Sequence, residues 1–242
     1  MPRTAPLARS AGALAALIAP PSLAAPASAE TGPTVLHIGT LYAVPGEAPI
    51  RQATVVVVGD TIDRVLDGYR DPADLFDPGV ESRTIDLKDR FVVPGLMDCH
   101  THLTGQSVPV GERMRRQMQE SEAYAAIDGV VYAHRTLMAG FTTVRNVGSG
   151  GQTGLALRDR INQGMIPGPR MLVSGPSVTV TGGHGDGTNS LSPALRPDQG
   201  PETAPADGPA EVRRAVRARV REGVDLIKIT ATGGVLSMTA AG

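Results

Sequence analysis

From residue 91 onward, short β-branched and apolar runs alternate with helix-length segments, and this alternation restricts the fold more than any other feature of the chain. The runs are Phe91-Val92-Val93, Phe141-Thr142-Thr143-Val144, Arg170-Met171-Leu172-Val173 and Leu226-Ile227-Lys228-Ile229-Thr230. Between them lie Glu112 to Met138, Leu155 to Gln163 and Ala210 to Glu222. Strand, helix, strand, helix in that order predicts an α/β fold with a parallel sheet. The last helix is the clearest. Val212, Val216 and Val220 recur at i, i+4 and i+8, with Arg213, Arg214, Arg217 and Arg221 toward solvent. Gly140, Gly164 and Gly223 are placed to stop the three helices. A long Gly/Pro loop is expected from Gly175 to Gly208.

Residues 34 to 90 follow a different period. Val35-Leu36-His37-Ile38, Ala53 to Val58 ending at Gly59-Asp60, and Thr84-Ile85-Asp86-Leu87 predict a small β unit. Asp71-Pro72 and Asp77-Pro78-Gly79 open its middle into loop. Ahead of it, Arg3 and Arg9 form a basic start, Ala11 to Ala19 an apolar run, and Ala27-Ser28-Ala29 a small-residue cleavage site. That order predicts a secretory signal peptide over residues 1–29 and an exported, periplasmic or secreted protein. The expected division is thus 1–29, 30–90 and 91–242. No later segment is long and apolar enough to cross a bilayer, so no membrane partner is expected after cleavage.

Composition narrows the partners. With 23 Lys+Arg against 24 Asp+Glu, 3% aromatic residues and no Trp, the chain has neither the charge nor the stacking platforms of a nucleic-acid binder. Its one cysteine, Cys99, rules out an intrachain disulfide and a Cys-rich zinc ribbon.

Chemistry concentrates at strand ends. His100-Thr101-His102 follows the first parallel strand, and alternation predicts that both imidazoles point one way, where parallel α/β folds place their sites. Two imidazoles at that spacing can share a metal. Asp98 lies on the same face two residues earlier, placed to orient a ligand imidazole. Cys99 is expected on the other face, as packing. Lys228 sits between Ile227 and Ile229 in a strand suited to burial, where an ammonium is costly unless paired or neutral. It either snorkels at the strand end or, as the neutral amine, reacts with carbon dioxide to give a metal-bridging carbamate, and the strand by itself leaves both readings open. His184 lies in Thr181-Gly182-Gly183-His184-Gly185-Asp186, a loop whose glycines allow close approach of a ligand, and is expected to contact substrate. His37 and His134 are read as structural. Gly148-Ser149-Gly150-Gly151 is read as a turn, because no Lys-Ser/Thr completes a P-loop.

Four motifs in order, Val93-Pro94-Gly95-Leu96-Met97-Asp98-Cys99-His100-Thr101-His102, Gly140-Phe141-Thr142-Thr143-Val144-Arg145, Thr181-Gly182-Gly183-His184-Gly185, and Ile227-Lys228-Ile229 with Gly233-Gly234, resemble the metal-dependent amidohydrolase superfamily. Within it the likeness is to the imidazolonepropionase-like and Xaa-Pro dipeptidase branch, which includes ochratoxin-type amidases. The resemblance implies a (β/α)8 TIM-type barrel, of which residues 91–242 supply strands one to four, preceded by part of a β-sandwich. It implies two divalent metal ions, zinc by expectation, held by His100, His102 and a carboxylated Lys228, with a bridging hydroxide attacking the amide carbonyl. It also implies a small amide or dipeptide substrate near His184, with homo-oligomerisation left open. The catalytic aspartate of the family lies after strand eight, so no proton-shuttling residue is expected within this chain. The stretch from Phe91 to Gly242 is shorter than the about 250 residues of a whole barrel. The activity expected is therefore amide or peptide C–N hydrolysis by a fragment. The rivals are a catalytically inactive half-barrel and a cyclic-amide hydrolase of imidazolonepropionase type.

Overall fold

The computed structural model describes residues 32–234, apart from 190, 198–199 and 203–204. The expected signal peptide lies outside the described residues. Four strands open the fold: β1 (Thr34–Leu41), β2 (Ile50–Val58), β3 (Thr61–Asp67) and β4 (Arg83–Val92), in the sheet order β3-β2-β1-β4. β1 and β2 pair antiparallel, as do β2 and β3, whereas β4 runs parallel to β1. Val58 faces Thr61 across a two-residue turn with Gly59 at φ +61, a conformation glycine adopts without strain. β3 was not expected from the sequence. Its charged residues disguise an edge strand whose Ile62 and Val65 stay exposed, and pairing with β2 rather than burial holds it in place. The parallel return to β4 passes through the one-turn helix α1 (Pro72–Leu75), capped by the Asp71 carboxylate on the Ala73 N–H at 2.9 Å. Ile38, Leu41, Ala53 and Val55 form the core of this unit.

The boundary after it differs from expectation. Phe91-Val92-Val93 was read as the first barrel strand, yet Phe91 and Val92 close β4, opposite Thr40 and Leu41. Pro94 lacks the N–H to continue a ladder, and Gly95 turns tightly over Thr142, whose Oγ1 would lie 2.0 Å from a Cβ there. The first barrel strand is β5 (Leu96–Thr101).

Parallel β/α order then follows: α2 (Val110–Gln119), α3 (Glu122–Met138), β6 (Phe141–Asn146), α4 (Thr153–Asn162) and β7 (Arg170–Val173), with β5, β6 and β7 in one parallel sheet. The single helix expected over 112–138 is two, because Glu120 and Ser121 take extended backbone angles. The long loop contains β8 (Val178–Thr179) and a 3-10 turn at Pro193–Leu195 before α5 (Gly208–Glu222), which ends at Gly223 with φ +83. β9 (Ile229–Thr230) pairs with β8, not β7, and is shorter than the five-residue strand expected. The segment before it is tied to β7 by Asp225 instead. Its N–H donates to the Val173 carbonyl at 2.8 Å, and its carboxylate accepts the Val173 N–H at 2.8 Å.

The core sits between this sheet and its helices: Leu103, Ala133, Val144, Leu155, Leu157, Met171 and Val173. α5 packs through Ala215 and Ala218, flanked by Val212 and Val216, whereas Val220 is exposed. A four-residue spacing gains about 40° per step on a 3.6-residue turn, so the third valine has left the buried face. Arg219 takes that place, fully buried. Its Nε donates to the Pro176 carbonyl, and its other nitrogens reach Glu222 and the Glu202 carbonyl. The other four arginines face solvent as expected. Among the described residues no helix is long and apolar enough to cross a membrane.

Candidate metal centre

The C-terminal end of β5 is not a regular strand. Asp98 pairs with Val144 and Thr101 with Asn146, so β5 spends three residues where β6 spends two, a bulge at Cys99-His100. The groups the bulge frees are each satisfied. Asp98 Oδ1 accepts the His100 N–H at 2.9 Å, and Arg145 Nε donates to the Cys99 carbonyl at 2.7 Å. Asp98 thus reaches the His100 main chain where the bulge interrupts the β5–β6 register, and one expectation is corrected here. Cys99 is exposed rather than packed, because the bulge turns it out of the ladder.

His100 and His102 nevertheless come together, with ring centroids 5.5 Å apart and planes at 63°. His102 Nδ1 lies 3.1 Å from the Gly148 carbonyl, which can only accept, so Nδ1 carries the proton and Nε2 keeps its lone pair. The glycine is required for that approach, since a Cβ at Gly148 would lie 2.9 Å from His102 Cε1. The same connection pins the chain on either side. Asn146, fully buried, accepts the Leu103 N–H at 2.7 Å, and the Val147 N–H donates to Thr101 at 3.0 Å. Burial lowers the His100 pKa, and the nearby Lys228, His102 and Arg145 push it the same way against Asp98. The neutral imidazole, the form that binds metal, is favoured.

Lys228 precedes β9, and its carbonyl accepts the Val178 N–H at 2.8 Å. Its surroundings are less apolar than the sequence predicted: Ile227 packs against the Val178–Ala206–Ala215 cluster, but Ile229 is 61% exposed. The short two-residue ladder explains this, since the strand lacks a covering layer on the Ile229 side. The side chain is half-buried, acts electrostatically on His100, and has no carboxylate partner among the described residues.

His184 is exposed on its loop, with its ring against Gly234, where a Cβ would lie 2.4 Å from Nδ1. Among the described residues no hydrogen bond or ring contact joins it to the His100–His102 pair. The loop is built by Asp186, whose Oδ2 accepts the Gly182 N–H and whose Oδ1 accepts both the Thr188 N–H and hydroxyl. Burial pushes the Asp186 pKa up, but these bonds outweigh it and hold the carboxyl below its ordinary range. His37 bonds the Arg70 carbonyl and packs against Tyr69, a structural role. Sequence reasoning missed Gly148, Asn146, Arg145 and Asp186. The first three stand at the end of a strand neighbouring the His-x-His motif, which is the signal that would have found them.

Residues 91–242 match the Amidohydrolase family. The chain belongs to that family. It is 29% identical over 220 residues to ochratoxinase of Aspergillus niger, covering 84% of this chain and 43% of that protein. A crystal structure of a Xaa-Pro dipeptidase with methionine bound in its active site is 36% identical, with a TM-score of 0.76 over 87% of this chain and 50% of that one. A prolidase complexed with N-methylphosphonate-L-proline is 28% identical with a TM-score of 0.69, covering 87% and 49%. The chain therefore spans half or less of the length of these relatives. The α/β architecture is that of a partial TIM-type barrel, consistent with its likeness to about half of these solved structures.

Divalent metals are general in amidohydrolases, and the residues present fit one. Two imidazoles meet at a strand end, one with its Nδ1–H fixed by a backbone carbonyl and the other with its pKa lowered by burial. Among the described residues no group of three His, Cys, Asp or Glu side chains converges.

Proposed function

We propose that the chain is part of a metal-dependent hydrolase of amide or peptide C–N bonds, in which His100, His102 and a carboxylated Lys228 hold two divalent cations, zinc foremost. The observation that carries this reading is the His102–Gly148 bond, which turns Nε2 away from the carbonyl beside a second imidazole, with Lys228 acting electrostatically on that second ring. Bound there, the cations would polarise the scissile carbonyl and lower the pKa of water. The protein's own part is positional. Gly148 and Asn146 hold His102, the Asp98 bond holds the bulge that presents His100, and the Lys228 ammonium loses one proton to give the amine, which adds to carbon dioxide and releases a second proton to leave an anionic carbamate ligand. His184 contacts the substrate from its glycine loop. The relatives named Xaa-Pro dipeptidase, prolidase and ochratoxinase support a small dipeptide or N-acyl amino acid, cut beside its C-terminal residue. Residues 1–29 direct export before the mature chain folds.

The test is a zinc titration in 13C-bicarbonate buffer, followed by carbon NMR, metal analysis and assays on Xaa-Pro dipeptides and N-acyl amino acids. A carbamate resonance absent from Lys228→Ala, with two metals per chain in the parent, is expected. Full metal binding by Lys228→Ala sinks the carbamate assignment. A mature N-terminus at Met1 or Pro2 in protein recovered from the medium sinks the export assignment.

A further inference from the structure

The small β unit carries an open, solvent-facing cavity of about 390 Å³ whose lining includes Arg51, Lys88, Arg90, Tyr69 and Phe91. It originates at Gly39. Between Ile38 and Thr40, β1 advances two residues while β4 advances four, from Leu87 to Phe91, so Lys88, Asp89 and Arg90 bulge out opposite a single glycine. Only glycine fits, since a Cβ there would lie 2.1 Å from the Lys88 carbonyl oxygen. On the other side of β1, Gln52 lies between the partners of the same two residues and has φ 55. It is the one non-glycine residue with positive φ among the described residues. Such a conformation costs on the order of 1 kcal/mol and persists only where the surroundings enforce it. Two departures from regular strand thus meet at one level of the sheet, and both open onto the cavity.

Charge in the cavity is one-sided. Three cations line it against one carboxylate, Asp89, which lies 3.4 Å from Arg90. Lys88 has Asp86 at 3.6 Å and sits 5.0 Å from the Tyr69 ring centroid. Arg51 donates to the Thr40 hydroxyl at 3.1 Å and has no carboxylate partner among the described residues. Since the whole chain carries a net charge of -1, this concentration of positive charge is local. Phe91, stacked on Tyr42, adds an exposed apolar wall.

We propose that this cavity binds a small organic anion, its carboxylate or phosphate group facing Arg51, Lys88 and Arg90 and its apolar part lying against Tyr69 and Phe91. Arg51 is the principal contact, because its guanidinium fork is uncommitted to an acid and matches either oxyanion. The side chains are solvent-accessible, so binding weakens as salt is added. No lining residue belongs to the His100–His102 centre, and the site stands whatever becomes of the hydrolase reading.

The chain is titrated at low salt with inorganic phosphate by calorimetry and, separately, with benzoate by saturation-transfer NMR. Saturable, salt-weakened binding of at least one probe is expected, with at least tenfold loss in Arg51→Ala and no change in His102→Ala. Binding of one probe and not the other identifies the oxyanion. Circular dichroism checks each variant, and Arg90→Ala takes the place of Arg51→Ala should the latter not fold. The proposal is overturned by absence of saturable binding of both probes, by unchanged binding in the folded cation variant, or by loss of binding in His102→Ala.

Discussion

The four-stranded unit and the β/α part close their cores by opposite means. In the first, β1 has a ladder on each side, and Val35 and Ile38, on its two faces, are both fully buried. In the second, Leu96 and Met97 of β5 are exposed, as are Ile127 and Met138 of α3. Neighbours adjacent in sequence cover the small sheet, whereas a parallel strand depends on layers supplied from distant segments. The bulge that presents His100 and the short β8–β9 ladder beside Lys228 both belong to the less enclosed part. Departures from regular pairing are not confined to that part, since the β1–β4 bulge and the positive φ of Gln52 lie in the well-covered unit.

The sharpest way to break that comparison is to remove equal amounts of side chain from each part. Ile38→Ala should destabilise the chain by about 2–5 kcal/mol, because the cavity it leaves is enclosed on all sides. Met97→Ala should change stability by no more than about 0.5 kcal/mol, since its side chain already meets solvent. Urea denaturation followed by circular dichroism reads both. Similar losses in the two variants would mean that β5 is covered as thoroughly as β1.

A second variant separates positioning from stability within the β/α part. Gly148→Ala places a methyl group 2.9 Å from His102 Cε1, so the ring must turn from the bond that sets its tautomer. Metal affinity should fall about 10- to 100-fold, the usual effect of losing a partner of a ligand imidazole. Chelator competition with cobalt, together with the cobalt absorption spectrum, measures it. An unchanged spectrum and affinity would show that the Gly148 carbonyl does not orient the ligand.

How much was legible in the sequence follows the same division. β-branched runs and alternation exposed β1, β2 and the centre of β4, because near neighbours in sequence cover them. β3 escaped because an edge strand owes its existence to a partner's hydrogen bonds rather than to its own pattern. Phe91-Val92-Val93 was assigned to the wrong sheet, since a short apolar run does not announce which ladder it joins. At the candidate centre the histidines and Lys228 were readable as residue types at strand ends. Their supports were not, because Gly148, Asn146 and Arg145 act through carbonyls and N–H groups 43 to 46 residues away in sequence. The bulge itself is a property of the β5–β6 register, which no single strand encodes.

The loop that carries His184 offers a smaller effect with a defined pH sign. Asp186→Asn removes an acceptor for N–H and O–H donors and should cost about 1–2 kcal/mol at neutral pH. Because the folded carboxyl ionises below its ordinary range, its contribution is complete above the unfolded pKa of about 3.9 and fades as pH falls through the folded value. The two proteins should therefore converge in stability as pH falls through the folded carboxyl's pKa. A gap that persists unchanged into acid would assign the loss to packing rather than to the carboxylate.

The smallest effect is expected on the surface of α2. Glu112 accepts from Arg115 at 2.7 Å and from Arg116 at 2.9 Å, and those bonds lower its pKa to about 2. So large a shift would signal a strong interaction in a buried pair. Here the carboxylate and both guanidinium groups stand in solvent, where Coulomb attraction is screened and ordering three long side chains opposes it. Glu112→Gln should leave the urea midpoint at neutral pH unchanged within error, and half-molar salt should move the parent no more than the variant. The helix keeps its start without the charge, because α2 is held by its backbone ladder and by its neighbours. A clear drop in the midpoint, abolished by salt, would show instead that the Glu112–Arg115–Arg116 cluster holds α2 in place.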